Sequence, residues 1–85
     1  MFTVYALYSE QYDKIYIGVT SDIEARLTAH NHPSNKGWTK SYSPWIVLYT
    51  ETFEEKSEAL KREKQLKSSK GRDYIREIIL SKYKL

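Results

Sequence analysis

Two strand-type runs stand back to back at the start of the chain, and they constrain the fold more than anything after them. Phe2 to Ser9 ("FTVYALYS") and Lys14 to Val19 ("KIYIGV") are rich in aromatic and β-branched residues. They flank "EQYD", a short polar connection suited to a hairpin, and so read as paired antiparallel strands. In the second run, alternation puts Ile15, Ile17 and Val19 on one face and Lys14, Tyr16 and Gly18 on the other. A glycine inside a strand packs nothing and weakens the sheet. Gly18 therefore marks either a close approach to the backbone or a bend.

The segment "SDIEARLTAH" opens with Ser21 and has Glu24 three residues on, a capping-box pattern that predicts a helix from about Asp22 to His30. Next comes "NHPSNKGWTKSYSP", a loop in which Lys36, Trp38, Lys40 and Tyr42 alternate charge with ring. Interleaved cations and aromatics suit nucleic-acid backbone contact plus base stacking; the same rings could simply pin a long loop to the body. "WIVLYTE" gives a third strand, apolar on both sides, which predicts a central place in the sheet or cover on both faces. A second helix is expected from about Glu54 to Ser68 and a third from about Arg72 to Lys82, separated by "SSKG". The order β-β-α-β-α-α is that of a small α/β (α+β) fold.

At 85 residues the chain has room for one domain with a compact core, expected to span 1–85. It has no cysteine, hence neither a disulfide framework nor a thiolate metal cluster, which fits a reducing interior. "MFTVYALYSE" lacks a basic leader and no apolar run is long enough to cross a bilayer, so the expectation is a soluble cytoplasmic protein without membrane contact. Net charge is only +3, too small to single out nucleic acid, but its distribution is uneven. Lys56, Lys61, Arg62, Lys64, Lys67, Lys70, Arg72 and Arg76 face Glu58, Glu63 and Asp73, which concentrates positive potential in the C-terminal half. Such a run serves either as a polyanion surface or as a solvated helix face.

Two charges fall on unexpected faces. At ~100° per residue, Ala59, Glu63 and Leu66 lie close together on the second helix, with Lys61, Lys64 and Gln65 outside the arc. A carboxylate on a core-facing stripe is costly unless paired, hydrogen-bonded or bound to a metal. An i, i+4 ion pair with Lys67 is one solution, a functional role the other. On the first helix Ile23 and Leu27 define the buried side, while Arg26 and His30 lie together along its border. A snorkelling arginine and a structural histidine would explain each singly. Tyr16 faces away from the isoleucines, and Tyr5 lies beside it if the hairpin is in simple register. Two phenols, an arginine, a histidine and a half-buried acid are a kit for cutting a phosphodiester: acid for a divalent metal, arginine for the phosphate, phenol or imidazole to move a proton.

With these residues in place, "TVYALYS", "YIGVT", the arginine of "EARLTAH" and "EALKREKQLK" resemble the ordered motifs of the GIY-YIG nuclease superfamily. The likeness is greatest to its small stand-alone bacterial members related to the nuclease domain of the excision-repair incision subunit, and it reaches about Leu80. The resemblance implies a three-stranded antiparallel sheet flanked by helices. It makes Tyr5 the tyrosine of the first motif, Tyr16 and Gly18 the tyrosine and glycine of the second, and Arg26 the helix-borne catalytic arginine. His30 takes a position where relatives carry histidine or tyrosine, and Glu63 that of the metal-binding glutamate. The chain departs from the pattern with Thr3-Val4-Tyr5 in place of Gly-Ile-Tyr, with Val19 where the repair enzymes often have lysine, and with no asparagine beyond Asn35.

The implied activity is endonucleolytic hydrolysis with one divalent ion, Mg²⁺ or Mn²⁺, held by Glu63. Arg26 would neutralise charge on the phosphoryl oxygens, and Tyr5 or Tyr16, with His30 as relay, would activate water. Gly18 would keep the sheet surface low beside Tyr16. Lys36, Trp38, Lys40, Lys61, Lys64, Lys67, Lys70 and Arg72 would contact DNA, or RNA as a polyanion of the same kind. Specific interfaces bury on the order of 1,000 Å² or more, so a chain this small points to structure-directed cutting in DNA repair or processing, or to targeting by a protein partner. The alternative is a nucleic-acid-binding module on the same fold with little or no cleavage; a protein-interaction domain ranks last. A carboxylate would repel phosphate in a surface built for binding alone, which favours the nuclease.

Overall fold

The hairpin forms as its sequence predicts. The computed structural model describes residues 1–32 and 37–84. In it β1 (Phe2–Ser9) and β2 (Lys14–Thr20) pair antiparallel, with Thr3 opposite Thr20 and Ser9 opposite Lys14. Asp13 closes the turn at φ 53°, a left-handed conformation that Asp tolerates. Its carboxylate accepts hydrogen bonds from the Tyr8 hydroxyl at 3.0 Å and from Arg76 at 3.2 Å. Those bonds, Tyr8's first, hold the Asp13 carboxyl below its ordinary range.

α1 (Ile23–Asn31) starts one residue later than the capping-box pattern implies. The cap is Asp22 rather than Ser21: its carboxylate accepts from the Ala25 N–H at 3.1 Å, and its own N–H donates to Thr20 Oγ1 at 3.1 Å. A 3₁₀ turn (Trp38–Tyr42) then leads to β3 (Ile46–Phe53), α2 (Lys56–Lys67), α3 (Ser69–Tyr74), a π-helical segment (Ile75–Leu80) and α4 (Ser81–Lys84).

Two expectations are corrected. The sheet order is β2-β1-β3, so β3 is an edge strand and β1 the central one. The apolar character of β3 on both sides comes from a bulge: Ala6 faces Tyr49 but Leu7 faces Val47, leaving Leu48 as the extra residue. The alternation changes phase there, so that Ile46 and Leu48 before the bulge and Tyr49 and Phe53 after it all pack toward one face, while Val47 and Thr50 are exposed. The helical break expected across "SSKG" is a single residue. Ser68 ends α2 by donating to the Gln65 carbonyl at 2.6 Å and starts α3 by accepting from the Gly71 N–H at 3.2 Å. A side chain at Gly71 would collide with the Leu66 backbone, so the corner needs glycine for close approach. Helical structure starts at Ser69 rather than Arg72 and runs through to Lys84.

β1 separates two apolar layers. On one face Val4, Ala6, Tyr8, Ile15 and Ile17 pack under Ala59, Leu66, Ile75 and Leu80 of the C-terminal helices. On the other, Tyr5, Leu7 and Trp45 pack with Tyr16, Ile23, Leu27 and Tyr42. Burying a leucine such as Leu66 contributes roughly 1.5–3 kcal/mol, against ~0.3–0.5 kcal/mol for an i, i+4 ion pair. Apolar burial, not surface charge, therefore fixes how α2 lies.

Candidate active site

The site grows out of the second layer. Register sets Tyr5 opposite Gly18 and Leu7 opposite Tyr16, so the two tyrosines are diagonal neighbours with ring centroids 6.2 Å apart. A Cβ on Gly18 would stand 2.5 Å from the Tyr5 phenol oxygen. Gly18 is buried, and its missing side chain is the space that the Tyr5 ring occupies. The expectation that it keeps the surface low beside Tyr16 is corrected accordingly: the room goes to Tyr5.

Arg26 and His30 follow each other by one turn of α1 and meet the phenols from above. His30 Nε2 lies 3.2 Å from the Tyr5 oxygen, and its ring centroid is 4.7 Å from that of Tyr16. Arg26, itself exposed, lies close enough to both phenols to act on them electrostatically, on Tyr5 most strongly. Thr39, in the 3₁₀ turn, places Oγ1 3.0 Å from His30 Nδ1. Its own carbonyl accepts the Trp45 indole N–H at 2.7 Å. Asn31 in turn clamps the Trp45 backbone, accepting its N–H at 2.6 Å and donating to its carbonyl at 3.0 Å. Thr39 was not among the residues singled out from the sequence. A lone threonine in a loop carries no periodicity or spacing signal, and only the fold brings it to the imidazole.

Burial, and then the Arg26 charge, pull the His30 pKa below the ordinary imidazole value, so the ring is neutral near pH 7. Nε2 faces the Tyr5 phenol, which can donate to it, and Nδ1 faces the Thr39 hydroxyl, which can accept from it, so a neutral ring protonated at Nδ1 satisfies both contacts. Tyr5 itself is pushed up by burial, which outweighs the lowering effect of Arg26 beside it, with the Tyr16 and Glu63 charges adding to the rise. A standing phenolate is therefore disfavoured, while a phenol that passes a proton on to a neutral imidazole is not.

Tyr16, Arg26, His30, Trp38 and Thr39 line an open cavity of about 320 Å³. Glu63 does not line it. It projects from α2, across the sheet, and is felt at Tyr5 electrostatically. It is half-buried and paired with Lys67 at 3.1 Å, the i, i+4 partner its spacing allows. Among the described residues no three His, Cys, Asp or Glu side chains gather as a metal cage. One accessible carboxylate is nevertheless a suitable donor for Mg²⁺ or Mn²⁺, which take hard oxygen ligands and commonly bind through one or two carboxylates with water and substrate phosphate.

The basic residues divide. Lys67 and Arg72 line a groove beside Tyr16, whereas Lys61 and Lys70 line depressions elsewhere on α2 and at the α2–α3 corner. Lys40 and Lys64 are exposed, and Lys36 lies outside the described residues.

Residues 1–76 match the GIY-YIG catalytic domain. The chain belongs to the GIY-YIG family. Among curated proteins, this GIY-YIG chain is 38% identical over 56 residues to a UPF0213 protein of Staphylococcus haemolyticus, covering 66% of the chain and 68% of the relative. It is 43% identical over 54 residues to one of Staphylococcus saprophyticus, covering 64% and 66%. The chain thus matches about two thirds of the length of these relatives. No solved structure matches it. Membership supports a nuclease-type function on a nucleic-acid substrate. Among the described residues no helix is long and apolar enough to cross a membrane.

Proposed function

We propose that this GIY-YIG chain is a divalent-metal-dependent endonuclease that hydrolyses DNA phosphodiester bonds in the cytoplasm, guided by DNA structure rather than sequence, in repair or processing. One observation carries the reading: a hydrogen-bonded line from Tyr5 through His30 to Thr39, which with Arg26 stands at an open cavity. A module that only binds DNA has no use for a buried phenol wired to a neutral imidazole.

In this reading Arg26 holds the phosphoryl oxygens and offsets the charge that grows on them as the nucleophile adds. Tyr16, at the cavity wall, orients the attacking water. As the water oxygen bonds to phosphorus and the ester P–O bond breaks, Tyr5 takes the water's proton while its own passes to His30 Nε2. Thr39 holds the imidazole in the tautomer that can accept it. Glu63 would hold one Mg²⁺ or Mn²⁺, which when bound supplies positive charge to the phosphate and the leaving oxygen.

The test is a panel of labelled single-stranded, duplex, flap and branched DNAs incubated with Mg²⁺, Mn²⁺ or chelator, beside Glu63→Gln. Metal-dependent cleavage lost in the variant is the expected result. Binding without cleavage under every condition would make the chain a DNA-binding module on a nuclease fold.

A further inference from the structure

The catalytic cavity has a neighbour that the chemistry above does not use. Ile15, Tyr16 and Ile17 of β2, Trp38 of the 3₁₀ turn, Lys67 of α2 and Arg72 of α3 line a second groove of about 350 Å³. Tyr16 and Trp38 line both spaces, so the two are contiguous.

Trp38 is unusual among the large apolar residues here. Its ring is braced by Tyr42, with centroids 4.7 Å apart, and by Trp45 at 6.0 Å, yet 53% of the residue remains exposed. An indole ordered by two other rings and still open to solvent is a preorganised stacking surface, since holding it in place costs no further side-chain entropy on binding. The same groove carries two cationic side chains. Arg72 is fixed beside the groove by its Nε–H, which donates to the Lys67 carbonyl at 3.2 Å, and the Lys67 ammonium pairs with Glu63. Two β2 isoleucines, one braced indole, the Arg72 guanidinium and a Lys67 ammonium shared with Glu63 match an unpaired nucleotide, with its base against the ring and its phosphate toward the cations. A blunt duplex keeps its bases stacked on each other and offers only phosphate.

We infer that the Trp38–Lys67–Arg72 groove is a subsite for one unpaired nucleotide beside the scissile phosphate, and that it directs the protein to DNA with a single-stranded segment. This rests on the nuclease reading for its place next to the reacting bond, but the binding itself does not.

The experiment is done on the full chain with chelator throughout. Trp45 is 2% exposed, so acrylamide quenching of fluorescence reports Trp38. A single-stranded oligothymidylate should protect Trp38 in the unaltered protein, and a blunt duplex of equal length should not. Trp38→Ala should weaken single-strand binding about tenfold, the order expected for loss of one stacked base, and change duplex binding less than twofold, with Trp38→Phe restoring most of the loss. Equal protection by both DNAs, or equal losses on both in Trp38→Ala, would overturn the inference. The quenching measurement needs no variant and so stands even if Trp38→Ala does not fold. Cleavage is scored separately with metal: a protein that never cuts can still show the subsite, and one that cuts can lack it.

Discussion

The Tyr5 phenol lies across Gly18, at the distance where a single methyl group would touch its oxygen. The glycine of the second strand and the tyrosine of the first are thus one feature, a socket and the ring that fills it. Gly18→Ala must displace a ring that is only 1% exposed and has no free side to move into. We expect a loss of about 1–3 kcal/mol in urea unfolding, typical of overpacking, with loss of cleavage because the Tyr5–His30 contact moves. Unchanged stability would mean that the ring has another place to go.

The Thr39 hydroxyl acts on the reaction through His30. Thr39→Val keeps the shape and removes the hydroxyl, so the imidazole loses the Thr39 hydrogen bond at Nδ1. Cleavage should fall roughly ten- to a hundredfold, the scale of a misplaced catalytic group, while Thr39→Ser keeps most of it. The ¹⁵N shifts of His30 should report mixed tautomers in the valine variant and one tautomer in the serine variant.

Acid should silence the site late. The His30 pKa is lowered, so the neutral ring persists below the ordinary midpoint of ~6.5, and activity falls only as pH drops through the lower folded value. Stability follows the same sign: the contribution is complete above the unfolded value and is lost as pH falls through the folded one. Arg26→Met removes the second cause of the shift and should move the midpoint upward, short of the ordinary value because burial remains. Proton NMR titration of His30 checks this, with His32→Asn identifying the resonance.

Glu63 has a resident partner, and a metal ion must compete with it. Lys67→Met removes that competitor and should tighten Mn²⁺ binding about two- to fivefold, the worth of a partly exposed pair. Glu63→Gln should abolish it. Electron paramagnetic resonance of free Mn²⁺ measures both without any cleavage. Weaker binding in Lys67→Met would show that the lysine supports the ion.

Much of this was legible in the sequence because local rules dominate the hairpin and the first helix. Alternation placed Tyr5 and Tyr16 on one face, and the i, i+4 step carried Arg26 and His30 to the same place. The wheel put Glu63 among apolar neighbours, where it is indeed half-buried and paired. What the sequence hid depended on partners far along the chain. Six consecutive residues of β1, Val4 to Ser9, are buried, so it was β1 and not β3 that carried the pattern of a central strand. In β3 one bulged residue imitated that pattern. The ring over Gly18, the Thr39 contact and the Trp38 groove each join two or more segments, and no periodicity within one segment reports them.

The central strand holds the chemistry and the stability on alternate residues. Amide exchange at Tyr5 should therefore be as slow as that of Val4 and Ala6, because all three open only when the sheet opens. The wall beside them belongs to a short turn in which Thr39 points inward and is buried while Trp38 and Lys40 on either side of it are exposed. Substrate preference can then drift by changes at the exposed positions of that turn while the proton-handling anchor stays put, and a library confined to Trp38, Lys40 and Ser41 would sample new preferences without touching Thr39 or the packed Tyr42.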